Sequence, residues 1–461
     1  MDKNGNQGLP IEVADRVTRL FARFLKIEAA AGGLLLLCAM VALVLANSPL
    51  SAPFLNFWKM PIGLQVGQLD FTRSLHHWIN DALMTLFFFV VSLELKREFA
   101  LGELRSPKAA ALPLLAALGG MAVPVSIYLV LMNGQPGVHG WGTVMATDTA
   151  FVIGGLALFG SSIPAQLRIF LVSLAIFDDV GAISVVAVAY GETLNFGALG
   201  LAMLGLGVVA TSARIGVRSI PVYFVLGGGI WLCFDASGLH ATIAGVILGL
   251  MTPARAWVGD ERLRSIMGKL TAYPTGDHWS GDTSERHDLR ETGRAIEESL
   301  SPLERLEMML HPWVGFAVMP IFALANAGVA FSGVDLDQRV SAAIFAGLVV
   351  GKPTGVLLFA WLAVRFRVAT LGNGLDWVFL TAGAFLTGIG FTMSIFISNL
   401  AFPSALLPAA KLGVFLGSAT SATIGLLILL WWTSRRNQEQ TSEEATETST
   451  FIASTSPDKP T

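Results

Sequence analysis

The chain has 461 residues, 53% of them hydrophobic and 14% charged, with a mean hydropathy of +0.64. Soluble domains carry about 25% charged residues, so this composition excludes a soluble globular protein. A formal net charge of −3 excludes nucleic-acid binding as the main activity. In chain order, residues 1–28 read as a cytoplasmic amphipathic segment. Over 11–26, Val13, Val17, Leu20, Phe21 and Phe24 share one helical face and Arg16, Arg19 and Arg23 lie mostly opposite, which predicts an interfacial helix.

A spanning helix needs about 20 mostly apolar residues. Twelve segments approach that length, at 29–47, 77–100, 109–132, 141–160, 167–190, 196–213, 219–235, 238–252, 310–332, 340–364, 377–400 and 405–433. They predict an all-α polytopic membrane protein with about 12 transmembrane helices over 29–433. Between the first two spans, Leu64 to Phe71 alternates around Gly67-Gln68, which predicts a small outward β-hairpin at 61–72. Its free edges suit pairing with a second copy, so a homodimer through 62–71 is expected. The polar loop 253–305 reads as flexible and cytoplasmic, and Ser301-Pro-Leu-Glu304 closes it with a capping box. Residues 434–461, rich in Thr, Ser and Glu, predict a disordered cytoplasmic tail.

Basic residues orient the chain. With the N-terminus inside, 25 of the 30 Lys and Arg fall on the cytoplasmic side, while Lys59, Arg73 and Arg339 fall outside and Lys352 and Lys411 lie within spans. Both termini are therefore expected in the cytoplasm.

A charge at membrane depth is costly and marks a functional candidate. The candidates are Asp81 and Glu94 in the second span, Asp148 in the fourth, Asp178 and Asp179 in the fifth, His240 in the eighth, Lys352 in the tenth and Lys411 in the twelfth. Asp178 and Asp179 point about 100° apart on a helix, so one can line an aqueous funnel while the other meets a partner on a neighbouring helix. Buried carboxylates bind protons and, once deprotonated, offer oxygen ligands to a hard cation. Ala146-Thr-Asp-Thr-Ala150 followed by Gly154-Gly155, and the glycines Gly383, Gly388 and Gly390 with Phe-Thr-Met, interrupt the fourth and eleventh spans. Interruptions at matching positions of two halves predict broken helices crossing at the midplane, with Thr147 a further oxygen ligand and Asp148 neutralising half-helix ends. Gly351-Lys-Pro-Thr354 fails the phosphate-loop pattern, so ATP is not expected to drive this protein, and Lys352 reads as counter-charge to a carboxylate. Lys411, near the outer end of its span, is expected to snorkel. His240, at a helix start, reads as structural. Glu94, Arg97, Glu98, Glu307 and His311 gather at the cytoplasmic entrance as a group that titrates together. Gly388-Ile-Gly390 is followed by Phe391, so the Gly-x-Gly-Asp signature of an intramembrane aspartyl protease is missing.

Ala146-Thr-Asp148, the segment from Leu174 to Gly181, Gly351-Lys-Pro353, Gly390 to Ile395, Trp78-Ile-Asn-Asp81, Ser237 to His240 and His311-Pro-Trp313 occur in the order found in the bacterial NhaA-type sodium/proton antiporters, which the chain resembles from about 12 to 433. That family is itself a standard instance of the inverted-repeat transporter. The resemblance implies that spans three to five mirror spans ten to twelve, with the fourth and eleventh broken. It implies a transporter rather than an enzyme, exchanging cytoplasmic Na⁺ or Li⁺ for external H⁺, electrogenic, pH-regulated, in the bacterial inner membrane and without a cofactor. Asp179 matches the cation and proton carrier and Asp178 its neighbour facing Lys352. Na⁺ is then held by Asp179, Asp178 and Thr147, with Asp148 at the helix break. Glu94, Glu98, Glu307 and His311 match the pH-responsive region, and His240 and Asp81 match positions linked to pH response and transport. A proton-regulated cation channel, tolerating the same acidic residues, is the alternative.

Overall fold

The structure, a computed structural model, describes residues 28–255 and 299–454 except 64, 67, 68, 71, 160, 161, 192, 193, 218, 331–336 and 373, together with residue 265. The expected helix over 11–26, most of the 253–305 loop and the Gly67-Gln68 turn lie outside these residues.

Helix α1 (Glu28–Ala46) and the short α2 (Ser51–Trp58) lead to four strands, β1 (Pro61–Ile62), β2 (Gln65–Val66), β3 (Leu69–Asp70) and β4 (Arg73–Ser74). Pro61 pairs with Ser74, Ile62 with Arg73, Gln65 with Asp70 and Val66 with Leu69. The four pairs share one antiparallel register, in keeping with the hairpin that the alternating sequence predicts. Trp78 Nε1 donates to the Ile62 carbonyl at 2.8 Å and fixes the ribbon's base to the next helix.

The spanning elements follow: α3 (Leu75–Ala100), α4 (Pro107–Leu131), a 3₁₀ segment (Val138–Val144), α5 (Thr149–Ala157), α6 (Ala165–Ala189), α7 (Phe196–Ile215), α8 (Ile220–Ala236), α9 (Thr242–Met251), α10 (Pro302–Asn326), α11 (Gln338–Arg365), α12 (Trp377–Thr387), α13 (Phe391–Ala401) and α14 (Leu407–Ser454). At the start of α10, Ser301 Oγ accepts from the Glu304 N–H at 3.2 Å and Glu304 Oε2 accepts from the Ser301 N–H at 2.9 Å, the expected capping box.

Among the described residues, seven helices are long and apolar enough to cross a membrane alone, or eight if the bent pair α12–α13 counts as one. The other predicted segments are helical but shorter: the apolar stretches of α1, α8 and α9 run 10–17 residues and the fourth segment is split. Helix α14 continues from the last span through Ser454. A helix already formed by the membrane segment carries no nucleation cost, so polar residues extend it readily.

Among the described residues, three π-helical turns punctuate the spans, at Ile79–Leu83, Val314–Val318 and Gly347–Gly351. The last two run directly into Met319-Pro320 and Lys352-Pro353. Proline lacks an N–H and clashes with the carbonyl four residues back, and a widened turn absorbs both defects. The turn at Gly347–Gly351 thereby also sets the direction of Lys352.

Spans α4, 3₁₀–α5 and α6 form one half, and α11, α12–α13 and α14 the other: a long helix, a broken one and a second long one in each. Helix α4 lies along α11, the 3₁₀ segment against α13, and α12 against α14. One large buried core runs through both halves with α3 and α10, while Ala202, Leu206, Val209, Ile230, Phe234 and Ala244 form a small separate core for α7–α9. The α4–α11 contact is close because Gly119 and Gly355 face one another; a Cβ on either would run into the other's carbonyl oxygen. Gly355→Ala is expected to destabilise the protein by about 1–3 kcal/mol through overpacking. Thermal unfolding in detergent checks this, and wild-type stability would remove the contact's importance.

Candidate ion-binding site

The two broken spans cross at their breaks. The backbone N–H of Asp148 donates to the Ile389 carbonyl at 2.6 Å, so the chains touch directly. A Cβ on Gly390 would run into the Ser394 side chain and come within 3.1 Å of the Ala146 carbonyl oxygen, so glycine serves at this crossing. Helix α5 starts at the break, with Asp148 as its N-cap, and α13 starts beside it. The Asp148 carboxylate accepts from the Phe151 N–H at 3.4 Å, from the Thr392 N–H at 3.0 Å and from the Thr392 hydroxyl. One carboxylate thus serves the positive ends of both inner half-helices.

The negative ends are served from the other direction. Lys352 Nζ, with 0% side-chain exposure, donates to the Met145 carbonyl at the end of the 3₁₀ segment. The same ammonium lies 2.8 Å from Asp178 Oδ2. The Thr147 hydroxyl lies 2.6 Å from Asp178 Oδ2, to which it donates, and 3.0 Å from the Thr387 carbonyl at the end of α12. Asp178 is therefore neutralised by Lys352 and held by Thr147.

Asp179, one residue along α6, is 3% exposed, and its Oδ1 is buried with no hydrogen-bond partner. Among the described residues, the carboxylates of Asp178, Asp148 and Glu94 lie around it, opposed by the ammonium of Lys352. An isolated carboxylate in this setting is costly to leave ionised. It can be made neutral in two ways: by a proton, or by a cation that takes its oxygens as ligands. The other free oxygen, Asp178 Oδ1, is buried and likewise without a hydrogen bond. The arrangement can exchange a proton for a small hard cation at one carboxylate.

The accessory candidates fall into separate groups. Glu94 Oε1 lies 2.9 Å from His311 Nδ1. Arg97 links Glu98, at 3.1 Å, to Glu307. Asp81 Oδ2 lies 3.0 Å from His77 Nε2, toward the opposite end of α3 from Glu94. His240 Nε2 lies 2.9 Å from the Tyr190 carbonyl. Lys411 does not snorkel: it is 7% exposed and donates inward to the Asn326 carbonyl at 2.8 Å. It closes a buried chain in which Asn399 donates to Asn326 at 2.6 Å and Asn326 to Asn80 at 2.8 Å. Sequence reasoning missed Thr392, the Met145 and Thr387 carbonyls and this asparagine chain. The repeated Asn residues in otherwise apolar spans were the available signal for the last, since buried amides need partners.

Discontinuous helices that cross beside a buried carboxylate pair, only one of which is paired with a cation, define a multi-pass membrane protein of the secondary-transporter class. Residues 22–429 match the model of the family described as Na⁺/H⁺ antiporter 1. The chain belongs to that family. It is 58% identical over 426 residues to the Na⁺/H⁺ antiporter NhaA of Rhizobium meliloti strain 1021, covering 92% of this chain and 98% of that protein. It is 55% identical over 427 residues to Na⁺/H⁺ antiporter NhaA 1 of Acidiphilium cryptum, covering 93% and 95%. The fold is similar to that of the solved sodium proton antiporter MjNhaP1 from Methanocaldococcus jannaschii, with a TM-score of 0.51 at 15% identity, covering 91% of this chain and 95% of that one. The cation-channel alternative finds no support among these relatives, which are transporters by name.

Proposed function

We propose that this chain exchanges cytoplasmic Na⁺ or Li⁺ for external H⁺ in a bacterial inner membrane, with both termini cytoplasmic and no cofactor or ATP. The observation that carries the reading is the buried Asp179 carboxylate, without a hydrogen bond at Oδ1, next to the Asp178–Lys352 pair at the crossing of two broken helices. Protons neutralise the Asp179 and Asp178 carboxylates while the site faces outward. The loaded site then turns to the cytoplasm, where the protons leave as Na⁺ binds Asp179 with oxygens of Asp178 and Thr147. The ion-loaded site returns outward. Competition for one carboxylate couples the two flows, because a ligand shifts conformations only by its differential affinity. Exchange is electrogenic when more protons enter than sodium ions leave.

The Glu94–His311 and Arg97–Glu98–Glu307 groups are the proposed pH-responsive region, with Asp81 and His240 as accessory positions. In proteoliposomes holding a preset pH gradient, Na⁺ addition is expected to collapse the gradient. A channel would pass Na⁺ current and leave the gradient standing, which would refute exchange.

The hairpin is the proposed dimer contact, supported by its single antiparallel register and exposed β1 residues Pro61 and Ile62. Deleting residues 62–71 should give monomers in mild detergent that still exchange Na⁺ for H⁺. Light scattering reads the outcome, and an unchanged dimer would place the contact elsewhere.

A further inference from the structure

At the outer end of α3, away from the ion site, three metal-ligating side chains from two helices converge. His77 and Asp81 stand four residues apart on α3, and Asp235 comes from the end of α8. His77 Nε2 lies 3.0 Å from Asp81 Oδ2 and 3.9 Å from Asp235 Oδ1, and all three ligand atoms lie within 4.8 Å of one another. Zinc binds imidazole nitrogen and carboxylate oxygen at about 2.0–2.2 Å, which for a tetrahedral ion sets neighbouring ligand atoms roughly 3.3 Å apart. The observed separations bracket that spacing.

A second feature points to a shared ligand rather than to a simple ion pair. His77 Nε2 is buried yet makes no hydrogen bond, despite the nearby Asp81 oxygen, so the ring nitrogen is close to that oxygen without being aligned on it. The neighbouring charged and titratable groups leave the three ligand atoms available, although one of them, Arg73, pairs with Asp235 through its other oxygen. Arg73 sits 3.6 Å from Asp235 Oδ2, the oxygen that does not face His77. His76 contacts Asn80 at 3.3 Å, and His240 is turned to the Tyr190 carbonyl at 2.9 Å. The three side chains are 37%, 14% and 25% exposed, so the cluster sits near the protein surface rather than in the core.

We propose that His77, Asp81 and Asp235 form a site for a divalent transition-metal cation of the Zn²⁺ type, with water completing a tetrahedral shell, and that the bound ion slows exchange from the outside. One imidazole and two carboxylates suit a borderline ion better than Mg²⁺ or Ca²⁺, which take oxygen ligands. The ion ties α3 to α8 and draws Asp81 into a fixed position. The slowing of exchange rests on the antiporter reading given above; the binding does not.

Two readouts keep these apart. In calorimetry on the full-length protein in detergent, Zn²⁺ is expected to bind once per chain, and His77→Ala and Asp235→Asn are each expected to weaken binding by about tenfold or more. In proteoliposomes, external Zn²⁺ should slow Na⁺/H⁺ exchange, a chelator should restore it, and both variants should exchange normally in the presence or absence of the metal. The site is wrong if Zn²⁺ fails to bind, or binds both variants as tightly as wild type. The coupling is wrong if Zn²⁺ binds wild type and leaves its exchange untouched. Loss of exchange in metal-free wild type would instead refute the antiporter reading, while the calorimetry still reports on the site.

Discussion

Asp179→Asn is expected to insert and fold like the wild type while its Na⁺-evoked proton flux falls to that of vesicles without protein. An amide is close in shape to a carboxyl, so the packing of α6 is kept. It cannot take up a proton at neutral pH or supply an anionic oxygen to a cation, and so the alternation between the two ligands is lost. Asp178→Asn is expected to weaken exchange gravely by a different route, since it removes the negative charge that Lys352 and Thr147 meet at 2.8 and 2.6 Å. Fluorescence quenching of a pH dye in proteoliposomes reads both. Normal exchange by Asp179→Asn would remove it from the carrier role.

The second large effect belongs to Lys352. It is fully buried, meets Asp178 at 2.8 Å and closes the carbonyl end of the 3₁₀ segment at Met145. Removing one member of a buried pair strands the other charge and costs about 3–5 kcal/mol. Lys352→Ala should therefore lower the thermal unfolding temperature markedly. The double variant with Asp178→Asn should be less destabilised than the single changes would give by addition, because it leaves no stranded charge. Lys352→Arg keeps the charge without the compact ammonium geometry and should recover more stability than transport. Strictly additive losses in the double-variant cycle would show that the two side chains do not act as a pair.

What the sequence made legible, and what it hid, follows from the chemistry of each group. Asp178, Asp179, Asp148 and Lys352 stand out because a charge in an apolar run is costly and rarely accidental. The helix breaks were legible for the same kind of reason: glycine and Thr-Asp-Thr interrupt otherwise spanning segments. The crossing itself was not. Its partners are the Met145, Thr387 and Ile389 carbonyls, which every residue type carries, and Thr392, one hydroxyl among many in the spans. Lys411 was misread because position near a span's end does not reveal which way a long side chain turns; the Asn326 carbonyl, 85 residues away in sequence, decides it. His77 and Asp235 lie near the ends of different helices and come together only where the start of α3 meets α8 through side chains. The span count exceeded the helices able to cross alone because hydropathy averages over breaks that backbone geometry does not.

The central claim is that a proton and a sodium ion compete for one carboxylate. Adding Na⁺ to the detergent-solubilised protein in weakly buffered alkaline medium, with a pH indicator, tests it without a membrane or a gradient. The account predicts that Na⁺ binding releases at least one proton per ion, that the apparent Na⁺ affinity falls as the medium is acidified, and that Asp179→Asn releases none. Sodium binding to the wild type with no release of protons, at an affinity independent of pH, would contradict it.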